Sequence, residues 1–382
     1  MTLKSSRRGG IPPFIVMDVL RAANALQAAG RDVLHLEVGQ PSTPAPAGVI
    51  AAARRALDRD LLGYTEAFGI PPLRQAIARH YQDSYGIAVE PGRIVVCTGS
   101  SGAFVLAFLA AFDVGDRVAL AVPGYPAYRN ILTALDIEPV LLAVGPETHF
   151  QPTPEVLDRL PGRLDGLIVA SPANPTGTMI APDAMERLAA YCRARGIRLV
   201  SDEIYHGIAY GARAQTALAF EPEAIVINSF SKYFSMTGWR LGWMTVPESL
   251  LRAVECLAQN LYISPPTLSQ FAAIAAFDCT AELDANVARY ADNRRLLLAE
   301  LPRAGFGKLA PADGAFYLYA DVGDMTDDAA AFCARMLTET GVAATPGLDF
   351  DPARGNRFVR FSFAGATADM AEAARRLIAW KR

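Results

Sequence analysis

Histidine is scarce in this sequence: four stand in 382 residues, too far apart to make a metal-ligand pattern. The five cysteines, Cys97, Cys192, Cys256, Cys279 and Cys333, are equally dispersed and form no CxxC pair. An odd, scattered set argues for reduced core thiols and leads us to expect a cytoplasmic protein. Long apolar runs are missing too. The longest, Ala103 to Phe112, falls short of the roughly 20 residues that span a bilayer. Arg7-Arg8 is followed by Gly9-Gly10, Pro12-Pro13 and Asp18 rather than by an apolar core, which excludes a twin-arginine leader. No dense basic run occurs, and a net charge of -3 with a pI near 5.9 argues against nucleic acid as a partner.

What is present is interior. Hydrophobic residues make up 52% of the chain and charged ones only 20%, the balance of a globular protein with a large core. The length exceeds what one core usually supports, so two domains are expected. In the middle of the chain short β-rich runs alternate with helical ones. Candidate strands are 94–97, 117–122, 138–143, 166–170, 198–201, 224–228 and 241–246, with helices over 103–112, 126–135 and 181–195 between them. This alternation predicts an α/β domain whose mostly parallel sheet is covered by helices on both faces. After Leu283 a charged helix (286–301), a strand-like run near Phe316, a helix (327–340), a strand (358–363) and a terminal helix read as a smaller α+β domain. The expected division is therefore 41–283 for the large domain and 284–382 for the small one. Residues 1–40, with a helix over 17–29, are expected to pack beside the small domain.

The chemistry begins at Ser229-Phe-Ser-Lys232-Tyr-Phe-Ser-Met236-Thr-Gly238-Trp-Arg240. A lysine just past a buried strand strands a charge unless chemistry uses it. An aldehyde would turn that amine into an imine, and if it carried a phosphate, Ser229 and Arg240 would suit the anion. The segment thus points to pyridoxal 5'-phosphate held as a Schiff base on Lys232. Other strand ends supply matching parts. Cys97-Thr-Gly99-Ser100-Ser101-Gly102 turns from strand to helix and aims free N–H groups at an anion, although such turns also serve purely structural ends. Asn174, in Ala170-Ser-Pro-Ala-Asn174-Pro175-Thr176-Gly177, either bonds its own turn or donates to a ligand oxygen. Asp202 closes the run Val200-Ser-Asp202-Glu203-Ile-Tyr205, where it would cap a helix or hold a pyridine nitrogen protonated. Tyr205 would then donate to the ring's phenolic oxygen, while Glu203 reads as a surface or capping carboxylate. In Pro123-Gly124-Tyr125-Pro126-Ala-Tyr128 one aromatic can stack on a flat ring, with Tyr128 assigned to the core. Arg360, inside the apolar strand Phe358-Val-Arg360-Phe361, needs a carboxylate, from a substrate or from a structural ion pair.

In this order these motifs resemble the class I/II aminotransferases of fold type I, from about Ile11 to the C-terminus. The resemblance implies that Lys232 binds pyridoxal phosphate, Asp202 pairs with its ring nitrogen, and Asn174 and Tyr205 bond its ring oxygen. It implies that Tyr125 stacks on the ring and that Ser100, Ser101, Ser229 and Arg240 hold the phosphate. Arg360 would take the substrate's α-carboxylate, with the backbone of Gly39, in Val38-Gly39-Gln40-Pro41, facing the substrate. Tyr64 matches a tyrosine that reaches the phosphate of a neighbouring subunit, which implies a homodimer with shared sites. Two departures bear on specificity: Gln40 where an acidic residue is frequent, and Asp351 where glycine is common. Lys232, Asp202 and Tyr205 are the expected catalytic group of a ping-pong transamination between an L-amino acid and a 2-oxo acid. The absence of a charge in 103–112, with Phe14, Phe316 and Tyr317, points to a neutral or apolar substrate side chain. A carbon–sulfur β-lyase on the same fold needs the same residues and is the alternative. A regulator that adds this fold to a DNA-binding domain is disfavoured, because only a short segment without a basic recognition helix precedes Gly39. The retained lysine, aspartate and arginine argue against a cofactor-free scaffold.

Overall fold

The computed structural model describes residues 3–381. The outermost positions of the expected terminal segments, 1, 2 and 382, lie outside the described residues. The strands are β1 (Leu34–His35), β2 (Ile94–Cys97), β3 (Arg117–Val122), β4 (Glu138–Ala143), β5 (Gly166–Ala170), β6 (Arg198–Asp202), β7 (Ile225–Ser229) and β8 (Gly242–Thr245), then β9 (Lys308–Leu309), β10 (Tyr317–Asp321), β11 (Val342–Ala343), β12 (Thr345–Pro346) and β13 (Phe358–Ser362). The helices are α1 (Ile15–Ala28), α2 (Ala47–Arg59), α3 (Pro71–Tyr85), α4 (Gly99–Ala111), α5 (Pro126–Ala134) and α6 (Pro154–Leu157). They continue with α7 (Pro182–Arg195), α8 (Glu248–Leu261), α9 (Thr267–Ile274), α10 (Thr280–Glu300), α11 (Ala329–Thr340) and α12 (Thr367–Ala379).

The main sheet runs β2-β8-β7-β6-β5-β3-β4, parallel except for β8, which is antiparallel to both neighbours. Alternate residues of each strand feed opposite cores, as the pleat requires. Val96, Leu167, Val169, Leu199 and Val226 pack with α3, α7 and α9 on one face. Val95, Val118, Ile168, Val200 and Ile227 pack with α4, α5 and α8 on the other. Both faces are therefore covered, and an α/β fold with a mostly parallel central sheet is the architecture of the chain.

A second sheet, β12-β13-β10-β9, is antiparallel and packs with α11 and α12 around Phe306, Phe361 and Met370. The N-terminal β1 pairs in parallel with β11, joining Leu34 to Val342. Helices α1, α7 and α11 start within two residues of expectation, and two other starts differ by more. The first turn of α4 is Gly99-Ser-Ser-Gly102, read from sequence as a loop, because glycine and serine are weak helix formers that the apolar run after them carries along. Likewise α10 begins at Thr280, so the expected boundary at 283/284 falls inside a helix.

Candidate active site

The carboxyl ends of β2, β3, β5, β6 and β7 open onto one cleft, where parallel sheets place ligand sites. The turn after β7 is closed by serines: the Ser231 N–H donates to Ser229 Oγ at 3.0 Å, and Met236 N–H to the Phe230 carbonyl at 3.0 Å. This holds Lys232 half-buried with its amine pointing across the cleft, where Nζ donates to the Gly39 carbonyl at 2.6 Å. Burial lowers the lysine's pKa to about 8, aided by the charges of Arg360 and Arg240 and opposed by Asp202.

Asp202, at the end of β6, is 3% exposed. Burial pushes its pKa up to about 6, against the pull of donors. Those donors are the Ile204 N–H, at 3.0 Å from Oδ1, and the Tyr128 hydroxyl, which donates to Oδ2. Tyr128 is therefore not core packing alone, as expected from sequence. Its ring is buried, but its hydroxyl serves the aspartate. Glu203 also departs from expectation. It lies 1% exposed rather than at the surface, accepting from the Ala217 N–H at 2.8 Å and from Thr216 and Ser201 hydroxyls at 3.1 Å each. Its capping half holds, since Ala217 opens a short 3-10 turn.

Arg360, on β13 opposite Tyr319, is 2% exposed. Its Nη1 donates to Asn174 Oδ1 at 2.8 Å and its Nη2 to the Glu37 carbonyl, while Nε has no partner. Among the described residues it forms no ion pair, so the structural ion-pair alternative finds no support. Its guanidinium lies between the rings of Tyr317 and Phe350, 4.4 and 4.7 Å from their centroids. Asn174 spends its oxygen on Arg360, and its amide nitrogen makes no bond among the described residues. Tyr205, 3% exposed, shares a 2.6 Å hydroxyl–hydroxyl bond with Tyr317. Tyr125 meets Phe14 and Tyr128 edge to face, at centroid distances of 5.8 and 5.3 Å.

At the start of α4 no side chain caps the helix, which leaves the N–H groups around Ser100 and Ser101 facing Arg240. A Cβ on Gly99 would stand 2.6 Å from Arg240 Nη2, and one on Gly242 would stand 2.9 Å from the Ser100 nitrogen. Ser229 Oγ instead makes its bonds inside the protein, to Ser231 and the Leu241 carbonyl. Tyr64 lies apart from the cluster and is 83% exposed. Asp351, a departure noted in the sequence, is locked to Arg354 at 2.7 Å and has a structural partner there. Sequence reasoning missed the roles of Tyr128 and Glu203, and saw in Tyr317 only apolar surface. The available signal was Asp202 itself, since a buried carboxylate demands donors beyond its own turn. No group of three metal-ligating side chains occurs among the described residues. None of their helices is long and apolar enough to cross a membrane.

A family model, aminotransferase class I and II, matches residues 31–377. The chain is 55% identical over 384 residues to the valine–pyruvate aminotransferase of Mycobacterium tuberculosis, covering 100% of this chain and 99% of that protein. A crystal structure of an aminotransferase from the same organism superposes with a TM-score of 0.97 at 55% identity, covering 99% of each chain. Aspartate aminotransferase from Thermus thermophilus, solved with maleate, gives 0.93 at 32% identity, covering 99% of this chain and all of that one. The chain belongs to the class I and II aminotransferases. It is a pyridoxal-phosphate-dependent transaminase of fold type I, and the lyase alternative is not favoured.

Proposed function

We propose that this aminotransferase moves an amino group between a small neutral L-amino acid, with valine the first candidate, and a 2-oxo acid, with pyruvate the first acceptor to test. The 55% identity to a valine–pyruvate aminotransferase along the whole chain carries this reading. The cations acting on the Lys232 amine support it. They are Arg360 and Arg240, which suit one α-carboxylate and one phosphate.

The donor set fits pyridoxal phosphate: a buried carboxylate for a ring nitrogen, two donors for a ring oxygen, a half-buried amine for an aldehyde, and a helix start with an arginine for a phosphate. Asp202 would take the ring nitrogen, Tyr125 the ring face, and Ser100, Ser101, Ser229 and Arg240 the phosphate. The hydroxyl of Ser229, already committed to Ser231 and Leu241, acts through that turn. The cofactor supplies an electrophilic carbon and an electron sink for the α-carbon. Arg360 would clamp the carboxylate through its bidentate fork, and its bond to Asn174 Oδ1 leaves the Asn174 amide nitrogen free to donate to a ring oxygen. With its pKa near 8, the Lys232 amine is a competent base near neutrality: it would take the proton from the amino acid's Cα onto Nζ and give it back to the adduct at the carbon next to the ring. A ping-pong cycle returns the amino group to the second 2-oxo acid.

Three coarser readings accompany this one. The exposed Tyr64 supports a homodimer with shared sites. Five free cysteines support a cytoplasmic setting. Pairing of β1 with β11 supports residues 1–40 packing with the small domain, 284–382, rather than with the large one, 41–283.

The test is a panel of amino donors mixed singly with the holoenzyme, reading the bound cofactor's visible band. L-valine should discharge it and L-aspartate should leave it. The reverse order would overturn the substrate reading. Lys232→Ala should lower turnover by about 10³-fold or more, as expected when the base is lost. Transamination close to wild type would overturn the assignment.

A further inference from the structure

Tyr205 and Tyr317 are buried hydroxyls, 3% and 1% exposed, and the 2.6 Å bond between them is the only one either makes among the described residues. Two O–H donors sharing one bond leave one proton unspent in a place where unspent donors are costly. If Tyr205 gives its proton to the cofactor's ring oxygen, its own oxygen must accept, and only Tyr317 is placed to donate. The rest of Tyr317 is held hard. Its strand β10 pairs with β13 in register Tyr317 with Ser362, and its ring lies 4.4 Å beneath the Arg360 guanidinium. A Cβ on Gly39 would overlap the Tyr317 hydroxyl, so the glycine leaves room for that oxygen.

We propose that Tyr317 is a positioning residue for transamination: its hydroxyl donates to Tyr205 and fixes the direction of the Tyr205 proton, while its ring supports Arg360. The two roles separate by atom, the hydroxyl serving the cofactor and the ring serving the substrate carboxylate. This rests on the reading of Tyr205 given under Proposed function. The charged and titratable groups around the pair are Asp202 from β6, Lys232 from the turn after β7, Arg360 from β13, Tyr125 ahead of α5 and Tyr128 within it. A stronger donor at the ring oxygen favours its anionic, deprotonated state. Weakening that donor therefore raises the pH at which the bound cofactor changes colour.

The experiment is a pH titration of the holoenzyme's visible absorbance, in the absence of substrate. Tyr317→Phe should move the midpoint up by about 0.5 to 1 on the pH scale, the size of one weakened neutral hydrogen bond. Tyr205→Phe should move it further, and the double variant no further than Tyr205→Phe alone, because Tyr317 acts through Tyr205. In steady state Tyr317→Phe should keep KM for the amino donor within about twofold, since the ring remains, whereas Tyr317→Leu should raise it about tenfold. Gly39→Ala pushes the same hydroxyl aside with the phenol intact, and it should reproduce the upward midpoint shift. That variant gives an independent reading should Tyr317→Phe fold poorly. A coloured wild type with an unmoved Tyr317→Phe midpoint, or additive shifts in the double variant, overturns the inference. A wild type that shows no cofactor band, and no cofactor mass fixed on Lys232 by borohydride, overturns the functional reading and this inference with it.

Discussion

Tyr128 shows how much of a site can hide in a residue whose ring is core. Its hydroxyl and the Ile204 N–H are the donors that keep Asp202 from holding its proton more tightly than a pKa near 6 already implies. Tyr128→Phe removes one charge-assisted bond while leaving the ring. The aspartate's pKa should rise by about one on the pH scale, so that less of it is ionised at pH 7. Cofactor affinity and kcat should each fall about tenfold, and the acid limb of kcat should move to higher pH. Steady-state profiles with valine as donor would check this. Glu203 behaves differently. Burial pushes its pKa up to about 8, above its three donors' pull, and its Oε2 accepts no hydrogen bond, with His206 Nδ1 3.5 Å away. A carboxyl whose native pKa lies above the unfolded value of 4.5 adds stability that is full below that value and is lost as pH climbs through 8. Glu203→Gln keeps a neutral acceptor there, so its melting temperature should fall less between pH 5 and pH 8 than that of the wild type. Scanning calorimetry at the two pH values reads the difference directly, and equal slopes would count against a protonated Glu203. Asp202 and Arg360 drew notice as charges in apolar runs, and Lys232 and Asn174 as polar residues just past the ends of such runs. Tyr128 and Tyr317 did not, because an aromatic in such a run looks like core until its hydroxyl finds a partner.

At the scale of elements, the strand ends were legible, whereas the helix starts were legible mainly where proline marks them, as at α5 (Pro126) and α7 (Pro182). β2 through β5 fall at the residues expected, because apolar runs bounded by glycine, proline or charge have sharp edges. Helices α2, α3, α8 and α9 were not anticipated; α2 buries only a narrow face of Val49, Ala53 and Ala56, which small alanines make hard to tell from the rest of the helix. The start of α4 matters most, since the turn that reads as a loop is the helix's own first turn. Gly99 there has φ +75°, and the space its missing Cβ leaves is occupied by Arg240. Gly99→Ala therefore meets two costs, roughly 1–2 kcal/mol of left-handed backbone strain and displacement of the arginine. Pyridoxal phosphate affinity should drop by at least about tenfold, because helix N–H groups and guanidinium act together on the phosphate. Fluorescence titration of the cofactor-free protein measures it. Unchanged affinity would remove this helix start from the phosphate site.

At the scale of the whole molecule, the segment 60–65 turns large apolar side chains outward. Leu61 is 97% exposed and Tyr64 83%, and Leu261 and Ile263, about half exposed, belong to a distant stretch of sequence that the Thr65–Ser264 bond brings beside them. Yet the segment is tethered, by Thr267 Oγ1 donating to the Gly63 carbonyl at 2.6 Å and Thr65 N–H donating to Ser264 Oγ at 3.3 Å. A fixed, exposed apolar loop is what a symmetric interface needs, and patches of this kind rarely face water in a stable monomer. If Tyr64 completes the phosphate site of the other subunit, the two defects in Lys232→Ala and Tyr64→Ala lie in the same site of a mixed dimer. The other site of that dimer then holds an intact Lys232 and an intact Tyr64. Co-refolding equal amounts of the two inactive variants gives half mixed dimers with one good site of two, so activity should return to about a quarter of wild type on the closed-dimer geometry. Were Tyr64 to serve its own subunit, every site in the mixture would carry one defect, and activity would stay at the average of the two parents. Light scattering after the mixing separates this from failed association: a dimer without recovery rejects the shared site, and a monomer rejects the interface.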